Sequence, residues 1–342
     1  MTYELLGIMV LWTFLYGYLI VASVDFGAGF FSYYSVLTGQ KNKIHKIIQR
    51  YLSPVWEVTN VFLIFFVVGI VGFFPETAYY YGTALLIPGS VAIILLAIRG
   101  SYYAFSTYGS KENRGYMLLY GATGLLIPAS LSTVLTISEG GYIEERNSQV
   151  LFLWNRLLAS PYSWSVVLLA VVSVLYISAM FLTYYAARAK DETALEVVRG
   201  YALFWSAPTI LSSFLVFLGI RTQNPQHFLG MLELYWMFAA SFLCFLVAVY
   251  CVWKRRRYGT AFLFVMLQFA FAFYGYGAAH LPYVLYPYIN IYEGFTNETM
   301  AGALIAAFIA GLFVLIPSLW LLMRLFLFDA NYVQGTGAPK KG

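Results

Sequence analysis

Three ionisable side chains, Asp25, Glu57 and Arg99, lie inside long apolar runs of this sequence. A charge held within a bilayer costs on the order of 3 kcal/mol or more, so each is a functional candidate. Asp25 stands in Ala22-Ser23-Val24-Asp25-Phe26-Gly27-Ala28-Gly29. Ala22, Asp25 and Gly29 share one helical stripe, and small residues there, with Gly27, let another helix come close. The Asp25 carboxylate is therefore expected to face protein rather than lipid. Glu57 follows Ser53-Pro54-Val55-Trp56 and precedes Val58-Thr59-Asn60. Pro54 suits a first helical turn, Trp56 is expected to pack against a neighbouring helix, and Asn60 shares the face of Glu57.

Counted from the nearer helix ends at ~1.5 Å per residue, Glu57 lies roughly 6 Å deep and Asp25 roughly 18 Å deep. That stagger is too long for a two-carboxylate catalytic dyad. It suits a proton relay, with Thr59 and Asn60 holding water between the acids and Arg99 nearby. A structural reading stands beside it: Asp25 hydrogen-bonds a neighbouring helix, Glu57 pairs with Arg99 at a similar depth, or Arg99 snorkels to the interface.

Other chemistry is not signalled. Haem iron needs axial His, Met or Cys, and the three histidines fall in loops or at a helix end: His45, His227 and His280. The segment 138–161, with Glu139, Glu144 and Glu145, reads as a solvated loop. We find no metal-ligand spacing, nucleophile triad, phosphate-binding glycine loop or nucleic-acid module, and assign no catalytic residue. Cys244 and Cys251 sit two turns apart on one helix, roughly 10 Å along its axis, too far to bridge. Gln268, Ser130, Ser132 and Thr133 are expected to satisfy backbone carbonyls around kinks.

The elements that position these residues follow from composition. Of 342 residues, 61% are hydrophobic and 10% charged, against about 25% charged in a soluble domain. The fold class is all-α, a polytopic membrane helix bundle forming a single domain over 1–342. Nine transmembrane helices are expected, near 5–37, 53–74, 77–105, 116–137, 162–187, 199–219, 229–252, 258–279 and 299–327. The first run carries no basic leader and reads as a span, not a cleavable signal.

Basic residues orient the bundle. Alternate connecting segments hold sixteen of the twenty Lys and Arg, the opposite ones only Arg146, Arg156 and Arg221. The amino terminus is therefore expected outside and the carboxyl terminus in the cytoplasm, which requires an odd span count. The tetrad Lys254, Arg255, Arg256 and Arg257 reads as an anchor to membrane lipids, not as a nucleic-acid site.

Asp25-Phe26-Gly27-Ala28-Gly29, and Pro54-Val55-Trp56-Glu57 followed by Val61-Phe62-Leu63-Ile64, resemble the first and second spans of subunit II of the cytochrome bd quinol oxidases. Arg99 matches in kind and place, and length and span count agree over essentially the whole chain. Ser23 and Val24 stand where the family often has Gly and Phe after an earlier Asp. Glu57 replaces a commoner Asp, Thr59-Asn60 the usual Asn-Gln, and Phe62 a common Trp, marking a divergent branch.

The resemblance implies a partner, subunit I, carrying two b-type haems and one d-type haem, and leaves room for a small single-span subunit. It implies a complex in the cell membrane that oxidises quinol, reduces oxygen to water with cytoplasmic protons, and builds a proton-motive force without pumping. This chain would hold no redox centre. The rival reading is a secondary transporter or permease whose buried acids and arginine bind a substrate or ion.

Overall fold

The computed structural model describes residues 2–39, 41–108, 114–147 and 149–324; the side chains of 41–43, 45, 46, 49–58, 103–108, 114 and 323 lie outside the description. The elements run α1 (Tyr3–Leu37), α2 (Lys41–Phe73), α3 (Glu76–Ala84), α4 (Leu86–Tyr108), α5 (Arg114–Leu131), α6 (Thr133–Ser138), β1 (Ile143–Arg146), β2 (Gln149–Phe152), α7 (Trp154–Ala159) and α8 (Pro161–Ala189). There follow α9 (Glu192–Gln223), α10 (Pro225–Glu233), α11 (Tyr235–Trp253), α12 (Tyr258–His280), β3 (Tyr283–Leu285), β4 (Ile289–Asn290) and α13 (Glu298–Met323).

Among the described residues seven helical stretches are long and apolar enough to cross a membrane, α5 and α6 counting together. The α3–α4 pair makes an eighth if its two arms, bent by 78°, are one crossing, and α2 adds a shorter apolar stretch, Thr59–Phe73. The chain is a multi-pass membrane protein. In α8, 72% of the membrane window is buried, against 22% in α11 and in α13, so α8 is the central helix and those two lie at the periphery. Helix α1 packs on α2, α5 and α8, which sets Asp25 in the middle of the bundle.

Three expected boundaries are corrected. Helix α2 starts at Lys41 rather than near 53, so Pro54 stands inside it and a depth for Glu57 counted from residue 53 does not hold. The added turns are amphipathic: Ile44, Ile47 and Ile48 recur at helical spacing and are all buried, in the core cluster that includes Tyr185, Leu195 and Val198.

The expected span 77–105 breaks at Leu85. In a continuous helix the Pro88 ring would meet the Ala84 carbonyl and leave it without its N–H partner; the break puts Pro88 in the first turn of α4, where neither matters. Ser130 Oγ then donates to the Pro88 carbonyl at 2.7 Å, tying α5 to the bend. The span expected at 229–252 begins at Tyr235, residues 229–233 belonging to the separate α10.

The segment 138–161 is not a solvated loop. β1 pairs antiparallel with β2, and Ile137, Tyr142, Ile143, Val150, Leu285 and Ile289 form a small core of their own. Glu144 and Glu145 stay exposed, but Glu139 is buried. Tyr286 N–H donates to Ser138 O at 2.9 Å and Gln223 Nε2 to Gly140 O at 2.8 Å, so this end of the bundle is a tied cap.

Candidate functional site

Asp25, midway along α1, and Arg99, on α4, are 1% and 0% exposed. Arg99 Nε donates to Asp25 Oδ2 at 3.0 Å, and Nη2 to the Asp25 main-chain oxygen at 2.7 Å. Nη1 donates to the Tyr120 main-chain oxygen at 2.9 Å and to Thr123 Oγ1 at 3.3 Å, both on α5. The Tyr120 hydroxyl donates to Asp25 Oδ1 at 3.2 Å. The guanidinium carbon stands 4.1 Å from the Tyr120 ring centroid and 5.1 Å from that of Phe26, and Tyr102 stacks on Tyr120.

Desolvating such a pair is costly, and only dense hydrogen bonding with good geometry compensates. Here one rigid fork bonds both the carboxylate and main-chain carbonyls of two helices. Full burial rules out the snorkelling expectation for Arg99.

The glycines explain how the helices come close enough. A Cβ on Gly29 would lie 3.0 Å from both Arg99 Nη atoms, so this position leaves room for the guanidinium. A Cβ on Gly27 would lie 2.4 Å from Ser178 Cβ on α8, and one on Gly124 of α5 would lie 2.2 Å from the Phe26 carbonyl oxygen. Ser178 Oγ donates to Val24 O at 2.9 Å across the same α1–α8 contact.

Of the residues singled out in the sequence, Asp25, Arg99 and Gly29 thus meet at one point. Ala22 is buried on α1; Thr59 is buried and Asn60 half-buried on α2, which packs against α1. The side chains of Glu57 and Trp56 lie outside the described residues. Tyr120, Thr123 and Phe26 complete the network without having been singled out. Ser132 Oγ donates to Ala129 O and Thr133 Oγ1 to Ser130 O near Pro128, as expected, whereas the Gln268 side chain accepts from the Tyr176 hydroxyl at 3.4 Å rather than serving a main-chain carbonyl.

A second buried polar group lies at the capped end. His227 is in the first turn of α10, set there by Asn224, whose side chain accepts from His227 N, and by Pro225 at the first helical position. Its Nδ1 lies 2.9 Å from both carboxylate oxygens of Glu139, and its Nε2 lies 3.0 Å from the Tyr276 main-chain oxygen. His280 Nδ1 lies 3.4 Å from His227 Nδ1 and 3.5 Å from Glu139 Oε1. Asn224 Nδ2 donates to Glu139 Oε2 at 3.0 Å and the Tyr276 hydroxyl to Glu139 Oε1.

Gly140 and Gly141, at φ +83° and +84°, turn the chain sharply after Glu139; a Cβ on Gly140 would also strike the Tyr286 carbonyl oxygen at 2.6 Å. His280 is the helix-end residue expected, the last of α12, whereas His227 lies in a helix rather than a loop, and both are buried and packed together. Their rings stand 4.9 Å apart, centroid to centroid, with no room for a macrocycle between them, so the two cannot be the paired axial ligands of one haem.

The chain is similar to known proteins along nearly its whole length. Residues 3–326 match the family model described as cytochrome bd terminal oxidase subunit II. A Bacillus subtilis (strain 168) protein provisionally assigned as cytochrome bd menaquinol oxidase subunit II is 32% identical over 341 residues, covering 97% of this chain and 98% of that one. A chain in the structure of the bd oxidase from Geobacillus thermodenitrificans is 64% identical, with a TM-score of 0.85 over 96% of this chain and all of that one. An all-helical membrane bundle built around a buried Asp25–Arg99 pair, with this likeness running along nearly its whole length, belongs to the cytochrome bd terminal oxidase subunit II family.

Proposed function

We propose that this chain is the haem-free second subunit of a quinol:oxygen oxidoreductase in the cytoplasmic membrane. It packs against a subunit I that carries two b-type haems and one d-type haem. The complex oxidises quinol at the outer side and takes the protons for water from the cytoplasm, so a proton-motive force arises without pumping. The chain crosses nine times, with its amino terminus outside, α2 supplying one crossing and the bent α3–α4 pair another.

Within that complex Asp25 belongs to a proton route that starts from the cytoplasm at Glu57. The observation that carries this reading is the Asp25–Arg99–Tyr120 network: one carboxylate oxygen is held by the arginine, while the other meets a phenol that can exchange a proton. Farther along the same stripe, about 10 Å away, Tyr18 is buried and its hydroxyl lacks a hydrogen-bond partner among the described residues, so it extends the polar line toward the membrane centre. Large apolar side chains left uncovered on α4, α9, α11 and α13, among them Ile93, Phe214, Leu243 and Phe313, suit contact with lipid and with subunit I.

Oxygen consumption by the assembled complex tests the route. Asp25→Asn and Glu57→Gln are each expected to slow turnover at least about tenfold, which corresponds to ~1.4 kcal/mol on the barrier, with the haem absorbance unchanged. Full turnover with intact haems in both variants would reduce the chain to a scaffold. The orientation has its own check. A cysteine placed at Arg256 should escape an impermeant thiol reagent added to intact cells and react after lysis; labelling from outside would reverse the topology.

A further inference from the structure

The geometry points to a divalent-metal site, zinc before other ions, formed by Glu139, His227 and His280 at the capped end of the bundle. All three residues are buried, and their ligand atoms form a triangle with edges of 2.9, 3.4 and 3.5 Å. The point equidistant from the three atoms lies about 1.9 Å from each, from those edges, and a small step out of their plane brings it to the ~2.0–2.1 Å of zinc–nitrogen and zinc–oxygen bonds. Two imidazoles and one carboxylate are a zinc donor set, whereas a hard ion such as magnesium would call for more oxygen.

The hydrogen-bond directions support a cation at that point. His227 Nε2 faces the Tyr276 carbonyl, which can only accept, so the ring proton belongs on Nε2 and the Nδ1 lone pair is turned toward Glu139 and His280. The carboxylate also presents lone pairs to the same point. His280 Nε2 is buried without a hydrogen-bond partner among the described residues, and its Nδ1 faces the other two ligand atoms.

A second proton on His227 would satisfy its contact with Glu139 but would leave His280 Nδ1 beside a cationic ring. One divalent ion engages all three atoms at once. The surroundings are those of a metal centre: the Tyr276 carbonyl fixes the tautomer of one ligand, and Asn224 and the Tyr276 hydroxyl orient the carboxylate of another. The ion would staple the end of α6, the start of α10 and the end of α12, segments far apart in sequence. It needs no part of the proton-route reading.

The test is metal content of the purified oxidase complex, exposed to micromolar zinc chloride and then dialysed against metal-free buffer. We expect about one zinc per complex, with a zinc-edge absorption spectrum showing two imidazole nitrogens and oxygen near ~2.0–2.1 Å. Glu139→Gln and His280→Gln should each lower retained zinc at least about tenfold, the loss of one ligand from a site of this kind. Haem absorbance serves to confirm that each variant complex has assembled. If a variant fails to assemble, the zinc-edge spectrum of the unaltered complex decides alone. Wild-type complex that retains no zinc, zinc without imidazole ligands, or equal zinc in assembled variants would each overturn the site and leave a proton-shared Glu–His cluster.

Discussion

Replacing Arg99 with alanine is expected to destabilise the chain by about 3–5 kcal/mol, the usual cost of removing one partner from a buried ion pair. Arg99 is completely buried and donates to the Asp25 carboxylate, to two main-chain carbonyls and to Thr123. Its loss takes the arginine's charge and hydrogen bonds away from a carboxylate inside the bundle. Arg99→Lys keeps the charge but cannot reproduce a fork that reaches Asp25 and Tyr120 together, so it should fall between the two. Asp25→Leu combined with Arg99→Met removes both charges and should recover part of the stability lost by Arg99→Ala, because replacing both members of the pair by apolar side chains leaves neither charge of it alone. Denaturation midpoints of the detergent-solubilised complex measure these differences. The double variant also separates clasp from carrier: if the pair only holds α1, α4 and α5 together, turnover returns with stability. A stable double variant that still consumes oxygen slowly assigns Asp25 to the proton route.

The pair was half legible in the sequence. Asp25 and Arg99 stand out because a charge in an apolar run is costly, and the spacing of Ala22, Asp25 and Gly29 marks the stripe on which a partner must come close. That the partner is Arg99, 74 residues away, follows from how α4 and α5 pack on α1, which no local pattern encodes. Hydropathy averaged over a span-length window finds the apolar crossings but misses what periodicity would reveal. Ile44, Ile47 and Ile48 sit among Lys41, Lys43, Lys46 and Arg50, so the window sees a polar loop where a helix buries one face. Pro88 was a visible signal for the break at Leu85, outweighed by the apolar residues around it. Glu139, His227 and His280 are 88 and 53 residues apart and each reads alone as an ordinary polar residue outside the membrane. Their only local signs are the Asn224-Pro225 helix start and the Gly140-Gly141 turn, both of which signal geometry and neither chemistry.

Close packing against α1 should make Gly124 the least tolerant glycine in the bundle. A methyl group there would stand 2.2 Å from the Phe26 carbonyl oxygen and 3.1 Å from its carbon, both main-chain atoms, so no side-chain rotation relieves the clash. The helices α1 and α5 must instead separate, and α5 carries Tyr120 and Thr123, the acceptors for Arg99, within one turn of that point. Gly124→Ala is therefore expected to cost more than the ~1–3 kcal/mol typical of one extra methyl in a packed core, because it also lengthens the hydrogen bonds of a buried guanidinium. Gly27→Ala meets Ser178 Cβ at 2.4 Å and the Val174 carbonyl oxygen at 2.8 Å, and should belong to the same class without touching the acceptors of Arg99. Gly200→Ala supplies the contrast. That position is exposed within α9, with no atom within 4 Å of an added Cβ, so alanine should stabilise the helix by roughly 0.5–1 kcal/mol. Denaturation midpoints of the three variants should order as Gly200→Ala above the unaltered chain and Gly124→Ala lowest. A Gly124→Ala chain as stable as the parent would mean that α1 and α5 can slide past one another, and the Asp25–Arg99 pair would then be a result of the packing rather than its organiser.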